Sequence, residues 1–339
     1  MNTRRRLVAR WLASACALGL EPRAMAVAVA AAVADPGAWP ARPIRLVVAY
    51  PPGGVSDLTA RALAEPLSKA LGLPVIVEHR PGAGGSVAID LLQRAAPDGC
   101  TLVFSAISPL TLHPLLSHDV RDPLRRVHPV RPVAGVMRTP VLVAGTRALQ
   151  GNTFEELIDR ARRFPGAVRW ATSGVATIGH MVLAQVRLIS STSITHVPYA
   201  GGGAQLNDAL SGQFEVLSSN VAALQLQYIA NGALKALAVG SPLRLPALPD
   251  TPTLSELGYE QANLASLFGV FAPADTPEAV VQRLNAEINR VLASASMMEL
   301  LRKGYNIPAP GSPEAFTAEI AADRARNRLV VDKAAGKLE

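Results

Sequence analysis

From Trp39 onward the apolar residues fall into short runs that alternate with longer stretches in which they return every three or four positions. Ile44–Ala49, Val75–Glu78 and Thr101–Phe104 are runs of strand length, and Leu58–Leu71 and Val87–Arg94 carry helical spacing between them. The pattern predicts a β-α-β-α-β unit of parallel type. Pro66 falls inside the first helix, removes the bond to Ala62 and is expected to kink it. From Ser108 to Pro140 the chain is rich in Pro, Arg and His and reads as loop.

A second block of the same kind begins near Val141–Ala144. Thr153-Phe-Glu-Glu156 has the form of a capping box, so a helix starts there. Strands follow at Val168–Ala171, Ile194–Val197, Phe214–Leu217 and Leu234–Val239, alternating with helices over Ile178–Leu188, Ala204–Leu210 and Val221–Ala230. Pro-rich Ser241–Pro252 reads as a linker, Leu267–Phe271 as a strand, and Thr276-Pro277-Glu278 and Ser312-Pro313-Glu314 as helix starts. Nothing from Asp250 onward carries recognisable chemistry.

Two strand-to-helix junctions stand out. In Tyr50-Pro-Pro-Gly-Gly-Val-Ser-Asp57 two glycines let the backbone approach a ligand, Ser56 or Asp57 can cap the helix, and the first helical N–H groups face whatever occupies the loop. A tight turn with no ligand is the alternative. Parallel-sheet topology would bring this loop together with Pro81–Gly85 and Ser105–Pro109 at the carboxyl ends of the strands. Thr172-Ser-Gly-Val-Ala-Thr177 is the second junction, with hydroxyls suited to an anion and His180 in the first turn of its helix. Packing or capping is the other reading of His180.

Composition narrows the function. The 339 residues are 49% hydrophobic and 17% charged, enough chain for two domains. The net charge of +7 is scattered and aromatic residues make up only 4%, which argues against nucleic acid and for small anionic ligands. Arg4-Arg5-Arg6, the apolar stretch Leu7–Leu20 and Ala-x-Ala sites between Ala24 and Ala34 form an export signal. An N-terminal membrane anchor is opposed by the short apolar run and by Glu21-Pro22-Arg23. Cys16 lies in that signal, which leaves Cys100 alone and no disulfide framework. Gly82-Ala-Gly-Gly-Ser86 lacks the Lys-Ser/Thr of a Walker loop, and Val87 breaks the dinucleotide fingerprint. His113, His118 and His128 have no metal-site spacing, so neither metal nor cofactor is expected. The absence of a G-x-S-x-G elbow and of an H-E-x-x-H helix leaves an exported hydrolase as a remote alternative.

Seven motifs, in order, resemble the Bug family, the extracytoplasmic solute receptors of tripartite tricarboxylate transporters. They are Trp39-Pro-x-Arg-Pro-Ile-Arg, Pro-Pro-Gly-Gly-x-x-Asp57-x-x-Ala-Arg61, Val77-Glu-x-Arg-Pro-Gly-Ala-Gly-Gly85, Ala96-Pro-Asp-Gly99, His196-Val-Pro-Tyr199, Leu248-Pro-Asp-x-Pro-Thr253 and Leu267-x-Gly-x-x-Ala-Pro273. The resemblance implies a type II periplasmic binding protein-like fold, two α/β lobes joined by a hinge, closing on a small carboxylate with bridging waters. It allots residues 1–34 to a signal peptide, 39–140 to the first part of lobe 1, 141–240 to lobe 2 and 241–339 to the return into lobe 1. Carried over by position, the ligand contacts are Pro52, Gly53, Gly54, Val55, Ser56, Asp57, Ser105 and Ala106 from one lobe. From the other they are Ser173, Gly174, Thr177, His180, Tyr199 and Asn220.

Two departures bear on the ligand. The family usually has an Asp before the position of Asn220 and a Pro soon after it, where this chain reads Ser218-Ser219-Asn220-Val221-Ala222. Losing that acid makes an amino-acid ligand less favourable and moves ligand choice to this stretch. Val175-Ala176 stands where the family often has a polar residue and Gly, which narrows the cleft. The resemblance further implies a periplasmic monomer without enzymatic activity, serving a membrane permease or, as the alternative, a membrane sensor.

Overall fold

The computed structural model describes residues 39–116 and 130–334. The export signal, with Cys16, lies outside the described residues, as do His118 and His128.

A continuous hydrogen-bonded path of strands runs β2-β1-β3-β9-β4-β7-β5-β6. Its first part comprises β1 (Ile44–Val48), β2 (Val75–His79) and β3 (Thr101–Ala106), which are mutually parallel, with β9 (Ala265–Pro273) antiparallel to β3. Its second part comprises β5 (Arg169–Thr172), β6 (Thr195–Pro198) and β7 (Val216–Asn220), again parallel. The two parts share β4 (Val130–Gly145), which pairs with β9 from Val130 to Pro140 and with β7 and β8 (Lys235–Gly240) from Val141 to Gly145. One strand thus belongs to both lobes.

Both faces of the central strands are covered, which explains their largely continuous apolar runs. Along β1, Ile44, Leu46 and Val48 face a core that includes Leu63 and Leu67 of α1 (Val55–Leu71) and Leu284 and Ile288 of α9 (Glu278–Leu292). Val47 and Ala49 face the opposite core, with Ile89 of α2 (Ser86–Gln93) and Phe316 of α11 (Pro313–Ala334). In the second lobe Val141 and Val143 pack beside Phe154, Leu157 and Trp170, while Leu142 and Ala144 pack beside Phe214 and Leu217. The remaining helices are α3 (Ser108–Thr111), α4 (His113–Leu116), α5 (Phe154–Arg163), α6 (Ile178–Ser190), α7 (Gly202–Ser211), α8 (Ala223–Ala230) and α10 (Ala295–Lys303).

Four expectations change. Residues 130–140 are strand rather than loop, because both prolines fall where a missing N–H is tolerated: Pro132 at a register shift against β9, Pro140 where β4 changes partners. The first helix, α1, starts at Val55 rather than Leu58 and runs to Leu71 with Pro66 inside it, and Leu63, Ala64 and Leu67 around the proline are packed in the core. The proline-rich linker is packed, with Leu245 and Leu248 in one core of the second lobe and Leu254 and Ala262 in the other. The chain therefore rejoins the first sheet at Ala265 rather than at residue 241. Finally, α10 and the two-residue β10 (Ile307–Pro308) fill a stretch that was given no elements, with Ser294 capping α10 at the Met297 N–H.

Candidate functional site

At the first junction the N-cap of α1 is Gly54, with no side-chain cap, so neither Ser56 nor Asp57 occupies the capping position. Asp57 acts from the third helical residue instead. Its Oδ2 accepts from the N–H of Gly53, at 2.9 Å, and Gly53 has φ +84°, a left-handed conformation that glycine takes without strain. Its Oδ1 is 2.8 Å from Arg61 Nε and 2.9 Å from His79 Nε2. Burial pushes the Asp57 carboxyl up, but the Gly53 N–H, His79 and Arg61 together hold it below the usual carboxylate range. The carboxylate thus ties the loop to its own helix and to the end of β2. Pro52, Gly53 and Gly54 remain exposed, Val55 is half-buried and Ser56 is buried.

Near this loop lie the 3-10 turn Ala83–Gly85 and the end of β3. Ser105 is fully buried, and its Oγ makes no bond of hydrogen-bond geometry; Ala106 is buried next to it. A methyl group on Gly85 would stand 3.1 Å from the Tyr50 hydroxyl and 3.2 Å from Ser105 Oγ, so the two oxygens converge on that glycine.

At the second junction Thr177 caps α6, accepting from the His180 N–H and donating to the carbonyl of Gly174 at 2.8 Å. Ala176 is held at φ +57°, and its N–H donates to His180 Nδ1 at 3.3 Å, which places the His180 proton on Nε2. Ring stacking continues to His196, with centroids 4.3 Å apart and planes 6° from parallel. Burial, with His180 and Arg187 nearby, lowers the His196 imidazole to about 3, so it is neutral across the physiological range. Ser173 is half-buried and Gly174 buried at the mouth of this loop.

Each junction lies against a glycine turn of the other half. A methyl group on Gly84 would stand 3.2 Å from the carbonyl oxygen of Val175 and 3.6 Å from Thr177, and one on Gly201 would be 3.8 Å from Pro51. Tyr199 follows β6 next to this meeting point, but its side chain turns away. Its hydroxyl donates to Asp208 at 2.7 Å, its ring packs edge-on to Phe214, and burial and Asp208 push the phenol to about 12. Asn220, half-buried, accepts from Ser266 Oγ at 2.6 Å. Ser218 bonds Trp170 and the Gly179 carbonyl inside the lobe, and Ser219 bonds Gln225. Within the stretch expected to choose the ligand, Ser218, Ser219 and Val221 are buried, and Asn220 and Ala222 are half-buried. A cavity of about 240 Å³ opens beside Ala106 and Ile178 under α11, lined also by Ser108, Ser266, Arg138 and Arg326. Arg138 is paired with Glu319 and Arg326 with Asp323. Among the described residues no group of three His, Cys, Asp or Glu could hold a metal ion.

Sequence reasoning missed Tyr50, His79 and His196 as parts of the site. Each lies within a stretch already noted, and what was unreadable was the pairing in space: His79 with Asp57, His196 with His180, Tyr50 with Ser105.

Residues 59–335 match the tripartite tricarboxylate transporter family receptor. The chain belongs to this family. It is 32% identical over 316 residues to protein BugT of Bordetella pertussis, covering 93% of this chain and 96% of that one. Among solved structures it is similar to an R. palustris protein with adipate, at 29% identity and TM-score 0.80, covering 88% of this chain and 98% of the other. It is also similar to MatC from Rhodopseudomonas palustris with bound malate, at 25% identity and TM-score 0.77, covering 86% and 100%. The fold is therefore that of a two-lobe α/β solute receptor, and the family is one of receptors, not enzymes.

Proposed function

We propose that this receptor binds a small organic carboxylate between its lobes in the periplasm and delivers it to the permease of a tripartite tricarboxylate-type transporter. The observation that supports the reading is that each strand–loop–helix junction lies against a glycine turn of the other half, Ser173–Thr177 against Gly84 and Pro51–Asp57 against Gly201. A carboxylate held there would be met by backbone N–H groups, hydroxyls and two helix N-termini, the arrangement that stabilises an anion without a lysine or arginine. The adipate- and malate-bound relatives support the chemical class.

Within this reading the contacts come from Pro52 to Asp57, Ser105 and Ala106 on one side and Ser173, Gly174, Thr177, His180 and Asn220 on the other. Tyr199 borders this space, with its hydroxyl engaged by Asp208 and its N–H by the Thr172 carbonyl. Lobe 1 comprises 39–140 and 265–334, lobe 2 comprises 141–264, and 1–34 are the export signal. The receptor acts as a monomer.

The test is calorimetry on the mature protein with mono-, di- and tricarboxylates. Saturable binding of at least one is expected, and no response to any of them overturns the proposal. Capture of the adjacent permease by ligand-loaded receptor, and not by the empty form, tests delivery; capture of a membrane sensor instead would reassign the partner.

A further inference from the structure

The turn that ends α10 departs from the usual chemistry of helix ends, and it does so where the lobes meet. The Asn306 N–H donates to the Leu301 carbonyl at 2.8 Å and the Tyr305 N–H to the Arg302 carbonyl at 3.0 Å, the pair of bonds that closes a Schellman turn. In such a turn the residue after the cap is left-handed, and glycine usually occupies it. This chain has its glycine one position too early. Gly304 has φ −85°, and Tyr305 carries the left-handed φ of +55°. An aromatic residue takes that conformation at a cost in backbone energy and keeps it only where its surroundings hold it. The apolar residue that often follows is missing too, because Asn306 stands there.

What the two side chains touch explains both departures. Tyr305 packs against the cluster that includes Leu142, Phe214, Leu217 and Val221, whose other members all lie between Leu142 and Leu248 in the second lobe. Asn306 is buried, and its Oδ1 accepts from Thr139 Oγ1 at 2.7 Å. Thr139 precedes Pro140, where β4 passes from the first sheet to the second. The turn is thus anchored on the crossing strand and reaches over into the opposite lobe. An open, largely apolar cavity of about 400 Å³ adjoins it, lined by Val55 and Leu58 of α1, Leu300 and Gly304 at the end of α10, and Ala223 of α8. Packing across the lobe boundary is therefore incomplete next to the turn.

We propose that Tyr305 is a latch on lobe closure: its ring holds the second lobe in the arrangement where each junction lies against the other half, and its left-handed backbone opposes that hold. Resting on the receptor reading, this adds a residue outside the ligand loops that sets the balance between closed and open forms. Packing of the ring favours closure. The backbone cost is relieved when the ring lets go, so it favours opening. A contact of this kind is lost equally from every liganded complex and lowers all affinities by one factor, whereas loss of a ligand contact lowers them selectively.

Tyr305→Ala, Tyr305→Gly and Tyr305→Phe separate the ring from the turn. Glycine fits the left-handed position, so Tyr305→Gly should fold with a thermal midpoint at or above that of Tyr305→Ala. Calorimetry with malate, adipate and citrate should show both small variants weakened about three- to tenfold, by the same factor for each acid that wild type binds. Tyr305→Phe should stay within about twofold of wild type. Spin labels on Lys69→Cys and Arg163→Cys, exposed positions on opposite lobes, should give a distance distribution in ligand-free Tyr305→Gly that is shifted from the wild-type one. Affinities that follow the thermal midpoint, lost in Tyr305→Ala and restored in Tyr305→Gly, overturn the latch and leave Tyr305 a shaper of its own turn. Unequal factors among the acids, or no change in either small variant, also overturn it, with the receptor reading intact. If wild type binds none of the acids the receptor reading fails, and the label distances alone then decide: a shift supports the latch and its absence overturns it.

Discussion

Replacing Asp57 by Asn keeps the shape of the side chain and removes the charge that gathers Gly53, Arg61 and His79 around it. Hydrogen bonds to an ionised acceptor are the stronger kind, so the variant should lose about 1 kcal/mol or more of stability and bind ligand more weakly. The pH dependence follows from the sign of the shift. The Asp57 carboxyl is depressed in the folded state, so its contribution is complete above the unfolded value of about 4 and is lost as pH falls through the folded one. Thermal midpoints of wild type and Asp57→Asn should therefore differ by a constant amount from neutral pH down to about 4 and converge below it. A gap that persists in strong acid would assign the effect to shape rather than charge. The sequence offered Asp57 as a helix cap, a position that Gly54 takes instead. The actual geometry of Asp57, reaching back from the third helical residue to a left-handed glycine, depends on a histidine that sits 22 positions away on another strand.

At the level of elements, two glycines in the junctions make opposite predictions. Gly54 has ordinary φ, and the nearest atom to an added Cβ is the Pro51 carbonyl at 4.0 Å. Gly54→Val should therefore cost no more than about 1 kcal/mol in stability, yet weaken ligand binding tenfold or more if the ligand lies against that backbone. Equal affinity in titrations of the two proteins would reduce this loop to a turn. Gly179 lies in the first turn of α6, where a Cβ would come within 2.6 Å of the Ser218 carbonyl and 2.9 Å of its hydroxyl. Here Gly179→Ala should cost about 1–3 kcal/mol by urea unfolding, because α6 must move off β7. Regular alternation made most elements readable, since strands covered on both faces and helices with one apolar stripe leave distinct periods. The elements that escaped, α3, α4, residues 130–140 of β4, α10 and β10, are those whose prolines or short length hide the period while tertiary pairing supplies the order.

Across the whole molecule, α11 links the halves. Val330 and Val331 near its end pack with Leu112, and with Met181, Ala184 and Ala176 of the second lobe. Ala176 is also the residue whose N–H is fixed by His180, so the helix braces the second binding loop from behind. Val331→Asp should speed ligand release several-fold in stopped-flow displacement, because a charge placed in that cluster favours the separated lobes. An unchanged release rate would confine α11 to the first lobe. The two-lobe plan itself was readable from two repeated β-α-β patterns, but the point of return was not, because proline-rich residues 241–252 look like a linker and instead contribute Leu245 and Leu248 to a core. The crossing in β4 has an experimental consequence for isotope labelling. Pro140, at which the strand changes partners, carries no amide hydrogen, so deuterium exchange along β4 is blind at the pivot. Its carbonyl accepts from Val221 N–H at 2.9 Å, and that single amide is where opening of the receptor would first register as uptake of deuterium.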